Sequence, residues 1–281
     1  MTNTFAVHLS KIQHIIKFIE DNYDKTISRV DLEAISNSSY RNLQRIFKTI
    51  FRESIGAFQK RLKLENAYRK IIYTNNQITD IAIEVGFESI QSFSKSFKKQ
   101  FSISPSNARK EKTNLFATFF KDSNSKPKEI NCEIVYLNPK KVFFKTIQTE
   151  NYNNGDINIL WDKIDAEIDS ESGINYYGVI VDEPLITDKS KCRYEACIDK
   201  EISLKGFYFK NIFGGRYAKF IHNGNYNLIE NTYRKIYYDW LFNSSLEFDS
   251  SPIIEYYAIS GSNEKNEKKF VTEILIPIKK K

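Results

Sequence analysis

Two stretches of the chain, offset by fifty residues, repeat one spacing of apolar positions. Leu43, Phe47 and Phe51 stand at i, i+4 and i+8 in the first, and Phe93, Phe97 and Phe101 do so in the second. On a helix this makes one core stripe and turns Arg, Lys, Gln and Ser to the opposite side, so both stretches are predicted as amphipathic helices with polar outer faces. The surroundings fit. Leu9, Ile12, Ile15, Ile16 and Ile19 predict a helix over 8–22, and 31–35 can form a short second helix. Ser36-Asn37-Ser38-Ser39 then supplies a turn and an N-cap for a helix over 40–51, which is helix-turn-helix spacing. Ile55, Phe58, Leu62, Ala67 and Ile71 predict a linking helix over 55–73. Beyond it the plan repeats: Thr79-Asp80 reads as the cap of a helix over 81–85, Gly86-Phe87 as the turn, and Glu88-Ser89 as the opening of the next helix. Gly86 suits a helix end that takes positive φ. Ser104-Pro105 starts a last short helix, the proline sitting where a missing N–H costs nothing.

Farther along, the period changes. The polar segment 121–128, with Pro127 and the two serines Ser123 and Ser125, reads as a domain junction. After it, short alternating or apolar runs at 131–137, 141–149, 176–181, 194–198, 206–211, 217–221, 253–259 and 270–278 predict eight strands. Two helical stretches, 156–168 and 228–242, lie among them, the second carrying Ile229, Tyr233, Ile236, Tyr237 and Trp240 along one face. The order strand-strand-helix-strand-strand occurs twice. Tyr152-Asn153 echoes Tyr226-Asn227, and Tyr176-Tyr177-Gly178-Val179 echoes Tyr256-Tyr257-Ala258-Ile259. The expectation is a multidomain chain: an all-α double helix-turn-helix domain at 1–112, a linker at 113–128, and an α+β domain of duplicated ββαββ-type halves at 129–281. The groove between two such halves is a natural ligand cleft.

Charge divides at the same place. Residues 1–112 hold 19 Lys and Arg against 11 Asp and Glu, a net of +8, whereas 113–281 hold 23 against 24, a net of −1. A basic region joined to a neutral one points to a polyanion partner for the first and a different task for the second. Cys132, Cys192 and Cys197 and the three histidines are scattered, and Cys192 with Cys197 has no second ligand pair at zinc spacing, so neither metal nor cofactor is expected. No run approaches eighteen apolar residues and the first residues lack a signal-peptide pattern, so no membrane partner is expected and the chain reads as cytoplasmic. No nucleophile triad, metal cluster or phosphate loop points to an enzyme.

Several phrases in order, Asn42-Leu43-Gln44-Arg45-Ile46-Phe47-Lys48, Ser54-Ile55-Gly56, Lys60-Arg61-Leu62, Ile81-Ala82 with Val85-Gly86-Phe87, Phe93-Ser94-Lys95 with Phe97-Lys98, and Ser104-Pro105 with Arg109, resemble the DNA-binding domain of AraC-type transcription regulators. The chain departs from that pattern at Arg52 and Ser102, where glycine is common, and at Ala108, where many members have an aromatic. The resemblance implies that each recognition helix enters a major groove of double-stranded DNA, the pair reading segments about one helical turn, roughly 34 Å, apart. Carried onto this sequence, it makes Tyr40, Arg41, Gln44 and Arg45 in the first helix and Gln91, Ser92 and Lys95 in the second the candidates for base edges or adjacent phosphates. Arg and Lys suit guanine, and Gln suits adenine. Lys98, with Lys99 and Arg109, is a candidate for phosphate.

The second region carries Leu160-Trp161, Arg193-Tyr194 with Ala196-Cys197-Ile198, Gly214-Gly215 with Tyr217-Ala218, His222-Asn223-Gly224 with Tyr226, Tyr233 with Ile236-Tyr237 and Trp240-Leu241, and Ile254-Glu255 with Tyr257. These resemble the GyrI-like effector-binding domain. The resemblance implies an aromatic pocket with a buried acid that receives a hydrophobic or cationic small-molecule effector. Glu255 is the candidate acid, since strand alternation puts Ile253, Glu255 and Tyr257 on one face. Trp161, Tyr217, Tyr226, Tyr233, Tyr237 and Tyr257 are the candidate walls. Together the two resemblances imply a sequence-specific DNA-binding regulator. Two alternatives stand beside that reading: hydrolysis of reactive small molecules at Glu255, or a protein-interaction module with gyrase or RNA polymerase as partner.

Overall fold

The computed structural model describes residues 3–112, 114, 130–168, 173–201, 206–240, 244, 246, 248–249, 251–261 and 264–279. Apart from Asn114, the linker expected at 113–128 lies outside these, as does the end of the helix expected over 228–242.

The helical region comprises α1 (Asn3–Asp21), α2 (Arg29–Ser36), α3 (Tyr40–Phe51), α4 (Ile55–Tyr73), α5 (Ile78–Glu84), α6 (Ile90–Phe101) and α7 (Pro105–Lys110). Serine starts most of them. Ser28, Ser39, Ser54, Ser89 and Ser104 each accept a hydrogen bond from the backbone N–H three residues on, and Ser28 forms a capping box with Asp31. Such a cap is worth about 1 kcal/mol. The helix α5 is the exception and corrects the expectation for Thr79-Asp80. It begins at Ile78 with Gln77 as N-cap and no side-chain cap bond, and Thr79 instead donates to Asp80 inside the first turn. Starting at Ile78 brings that residue onto the stripe of Ile81, Ala82 and Val85, and leaves Asp80 near the positive helix end.

Packing follows the apolar stripes. Ile12, Ile15, Ile16 and Ile19 of α1, Leu32 of α2, Leu43, Ile46, Phe47 and Phe51 of α3, and Ile55, Phe58 and Leu62 of α4 form one buried cluster. Phe47 meets Phe58 edge-on at 5.3 Å, while in the second unit Phe97 and Phe101 meet Tyr68 of the same α4 at 5.1 and 4.7 Å. One linking helix thus anchors both recognition helices through aromatic contacts ten residues apart. Gly86 closes α5 with φ +79°, and a Cβ there would fall 1.7 Å from the Asp24 carbonyl oxygen. Arg52 and Ser102, which stand where glycine is common, also take the left-handed conformation, at φ 55° and 61°. The turn geometry is kept, and a side chain bears the backbone cost.

The strand-rich region contains β1 (Glu133–Leu137), β2 (Lys140–Thr149), α8 (Asn154–Asp165), β3 (Tyr176–Ile180), β4 (Cys192–Ile198), β5 (Tyr208–Ile212), β6 (Gly215–Asn223), α9 (Ile229–Lys235), β7 (Ile253–Ile259) and β8 (Val271–Ile278). All eight expected strands form. The helix α9 runs on as a π-helix over Ile236–Trp240. Sheet order is β1-β6-β8-β7-β3-β4-β2-β5. Exchanging each strand of β1–β4 with its counterpart in β5–β8 reverses this order and leaves it otherwise unchanged, so the sheet has a pseudo-twofold axis between β3 and β7. There Gly178 lies opposite Glu255 and Tyr177 opposite Tyr256, antiparallel. The first strand of each half crosses over: β1 pairs with β6, and β5 lies beside β2.

Candidate effector cleft and reading helices

Strand alternation puts Glu255 on the same face as Tyr257, and the sheet buries its carboxylate almost completely, at 1% exposure. A carboxylate taken out of water needs partners. Three phenols provide them. Tyr233 of α9 donates to Oε1 at 2.7 Å, and Tyr226, in the turn before α9, and Tyr257 each donate to Oε2 at 2.7 Å. No Lys or Arg pairs with Glu255 among the described residues. Burial pushes its carboxyl above the usual carboxylate range, and the three phenol hydrogen bonds offset only part of that. Burial, reinforced by the Glu255 charge, likewise holds the phenols of Tyr226, Tyr233 and Tyr257 well above their ordinary value, so they stay protonated and remain donors.

A hydrogen-bonded chain reaches the same carboxylate from the other half. Tyr257 spends its proton on Glu255, so Tyr194 must donate in the 2.7 Å contact between their hydroxyls, and the Trp161 indole N–H donates to Tyr194 at 3.1 Å. The sequence of donors therefore runs Trp161, Tyr194, Tyr257, Glu255. Gly178 makes room for it: a Cβ there would stand 2.4 Å from the Tyr257 hydroxyl and 2.6 Å from that of Tyr194. Neither Tyr194 nor Gly178 stood out as a site residue in the sequence. The signal lay in Trp161, whose N–H must find an acceptor when partly buried.

Above this network opens a cleft of about 250 Å³. Trp161, Tyr176, Tyr226, Tyr257 and Phe270 form its aromatic walls, Asp165 lines it as well, and among the described residues no Lys or Arg does. Its walls come from both halves, as expected of the groove between them. Of the residues singled out in the sequence, the structure brings Trp161, Tyr226, Tyr233, Tyr257 and Glu255 together. Tyr217 lies elsewhere, and Tyr237 stacks on Tyr233 with ring centroids 6.3 Å apart but is not among the residues that line the cleft. Tyr217 is buried in β6 opposite Pro277, and burial raises its phenol to about 12. Tyr237 donates to the buried Glu183 at 3.1 Å. Alternation gave Tyr217 the right burial but could not show that the cleft occupies the other side of the sheet, and helical periodicity could not show that Tyr237 turns from Tyr233 toward Glu183.

On α3, Arg41 and Arg45 are exposed, and Tyr40 and Gln44 are half-buried. Gln44 donates to the Tyr40 hydroxyl, Arg45 donates to Asn42 at 3.0 Å, and Arg29 of α2 lies over the Tyr40 ring at 5.2 Å. On α6, Gln91, Ser92, Lys95 and Lys98 are exposed. Ser92 already donates its hydroxyl to the Ser89 carbonyl at 3.0 Å, which leaves it only an acceptor. Lys98 lies in the last turn, away from the end that carries Gln91.

A basic helix-turn-helix region followed by a pseudo-symmetric sheet domain with an acid behind an aromatic cleft defines a class: DNA-binding domains coupled to small-molecule-binding domains. Comparisons with known proteins define it further. Residues 130–279 match the GyrI-like small molecule binding domain, and residues 32–111 match a helix-turn-helix domain. The chain is 36% identical over 97 residues to the HTH-type transcriptional activator AarP of Providencia stuartii, covering 34% of this chain and 72% of AarP. It is 31% identical over 102 residues to the regulatory protein SoxS of Escherichia coli, covering 36% of this chain and 95% of SoxS. It is also 31% identical over 118 residues to the HTH-type transcriptional regulator YbfP of Bacillus subtilis, covering 42% of this chain but only 37% of YbfP. The chain belongs to the AraC-type helix-turn-helix regulators and carries a GyrI-like small molecule binding domain. No helix among the described residues is long and apolar enough to cross a membrane.

Proposed function

We propose that this protein is a one-component transcription regulator, in which residues 1–112 read double-stranded DNA, 113–128 join the two parts, and 129–281 bind a hydrophobic or cationic effector. The observation that carries the effector reading is Glu255, an acid 1% exposed that is held by three phenols and paired with no cation. A phenol that donates to a carboxylate becomes richer in charge at its oxygen and ring. The faces of Tyr226 and Tyr257 thus offer a lipophilic cation both ring attraction and the charge behind it. Arg41 and Arg45 on α3, and Gln91 and Lys95 on α6, are the proposed base readers. Their unlike types suit two unlike half-sites. Catalysis has no part in this reading. Its support is the regulator relatives and a carboxylate whose oxygens already accept three hydrogen bonds.

The test uses the full chain. Calorimetry with tetraphenylphosphonium should show binding that Glu255→Gln weakens at least tenfold, and DNA capture across a genome should return specific sites whose occupancy changes with the cation. Arg41→Ala and Arg45→Ala should each weaken binding to such a site by about 1–3 kcal/mol while barely changing binding to random DNA. Equal losses on both DNAs would assign these arginines to phosphate, and no specific sites in either condition would overturn the regulator reading.

A further inference from the structure

The cleft has a second acid. Asp165 is the last residue of α8 and lines the cleft one helical turn beyond Trp161. Trp161 stands between two tyrosines, Tyr257 at 5.8 Å on the side of Glu255 and Tyr176 at 5.7 Å, both edge-on. Tyr176 lines the cleft beside Asp165, and burial, followed by the Asp165 charge, raises its phenol above the ordinary value. Asp165 thus lines the same aromatic cleft as Tyr226 and Tyr257, the two phenols that hold Glu255 behind it, and Trp161 lines it too.

Asp165 has no hydrogen-bond or ion-pair partner among the described residues, and partial burial, followed by the charge of Asp162, raises its carboxyl above the ordinary value. It also stands at a helix C-terminus, where the backbone dipole disfavours an anion. A charge in such surroundings weakens the fold slightly unless a cation arrives. Several of the nearby acids in this region are matched, by contrast: Lys145 pairs with Glu167, Lys140 with Asp199 and Arg193 with Asp182.

We infer that the cleft takes an elongated dication, with one cationic group held against Tyr226 and Tyr257 in front of Glu255, the other at Asp165, and a hydrophobic spacer lying along Trp161. This rests on the effector reading of the cleft and names the class of ligand more closely. It also divides the work between the acids. Glu255, deep and dry, sets whether a cation binds at all. Asp165, at the open edge, selects for a second one.

The test compares matched probes on the full chain by calorimetry: alkyltrimethylammonium ions with one cationic head, and bis(trimethylammonium)alkanes with two, over a series of spacer lengths. One spacer length should bind better than its single-headed counterpart by about fivefold or more, as expected of a charge pair at a half-solvated site. Asp165→Asn, a substitution at an exposed position, should erase that advantage while weakening the single-headed probe far less than it weakens the double-headed one. Asp162→Asn should retain the advantage. If both probe types bind wild-type protein equally at every spacer length, the dication proposal is overturned while the effector reading stands. If neither probe type binds wild-type protein, both fall together.

Discussion

In the helical region Arg61 lies between Glu53 and Glu65, at 2.8 and 3.1 Å, with all three side chains under a tenth exposed. In the strand-rich region Glu255 is as deeply buried and, among the described residues, its carboxylate is hydrogen-bonded by three phenols and by no cation. Each arrangement satisfies the hydrogen-bonding capacity of a carboxylate, yet only the first supplies an opposite charge. An ion pair closed on itself has no use for a ligand and serves to fix α4 against the start of the segment that leads into it. A carboxylate solvated by phenols keeps its charge uncompensated, so a cation arriving at the cleft meets a field that the protein has not already cancelled. Burial alone therefore does not separate a structural acid from a binding one; the kind of partner does.

The largest expected effect tests the structural member. Arg61→Met should destabilise the helical region by about 3–5 kcal/mol, because two buried carboxylates would then face each other without a cation. Denaturant unfolding followed by helical circular dichroism reads this, and a loss below about 1 kcal/mol would mean that the triad contributes nothing net. On the other side, Tyr233→Phe removes the phenol on Oε1 without touching the cleft lining. Loss of one donor to a charged group costs about 1.5–3 kcal/mol, so affinity for a single-headed cation should fall roughly tenfold or more. Part of that loss should return as pH is raised, since removing a donor shifts Glu255 further toward its protonated form.

A third prediction concerns pH, and its sign follows from linkage. The folded-state pKa of Glu255 is raised, so the folded protein holds this proton more tightly than the unfolded chain. Glu255 therefore subtracts stability as pH rises from the ordinary carboxylate range through its folded value, and over the same window it gains charge and cation affinity. Wild-type protein should bind tetraphenylphosphonium more tightly, and melt at a lower temperature, as pH climbs through that window. In Glu255→Gln both trends should flatten. The smallest effect lies in the backbone: Arg52→Gly and Ser102→Gly should each stabilise the protein by about 0.5 kcal/mol, the left-handed strain relieved being partly offset by glycine's greater unfolded freedom.

The elements of both regions were legible because each follows one period. Leu43, Phe47 and Phe51 mark one turn after another of α3, and the parity of Ile253, Glu255 and Tyr257 placed the acid on the inner face of β7. Caps were legible where serine supplies them, and α5 was misplaced because its start has no side-chain cap to mark it. The site was legible only in part. The three phenols on Glu255 come from a strand, a turn and a helix, and only the pairing of β7 with β3 and β8 brings them to one point. Tyr194 and Gly178 act through their distance to other hydroxyls, a property that no spacing along the chain encodes. Asp165 looks in sequence like any acid on the wet side of a helix, and its place at the cleft depends on how α8 rests against the sheet.

The strand order has a consequence for biosynthesis. The helices α1–α7 end by Lys110, whereas β8 is the last described strand in chain order and sits between β6 and β7, joining β1 and β6 to the rest of the sheet. At roughly 5–20 residues per second, the roughly 170 residues between these points take on the order of ten to thirty seconds to synthesise. During each round of translation the helices α1–α7 therefore emerge well before the strand that joins the sheet together, and a ribosome stalled before Val271 would prolong that interval.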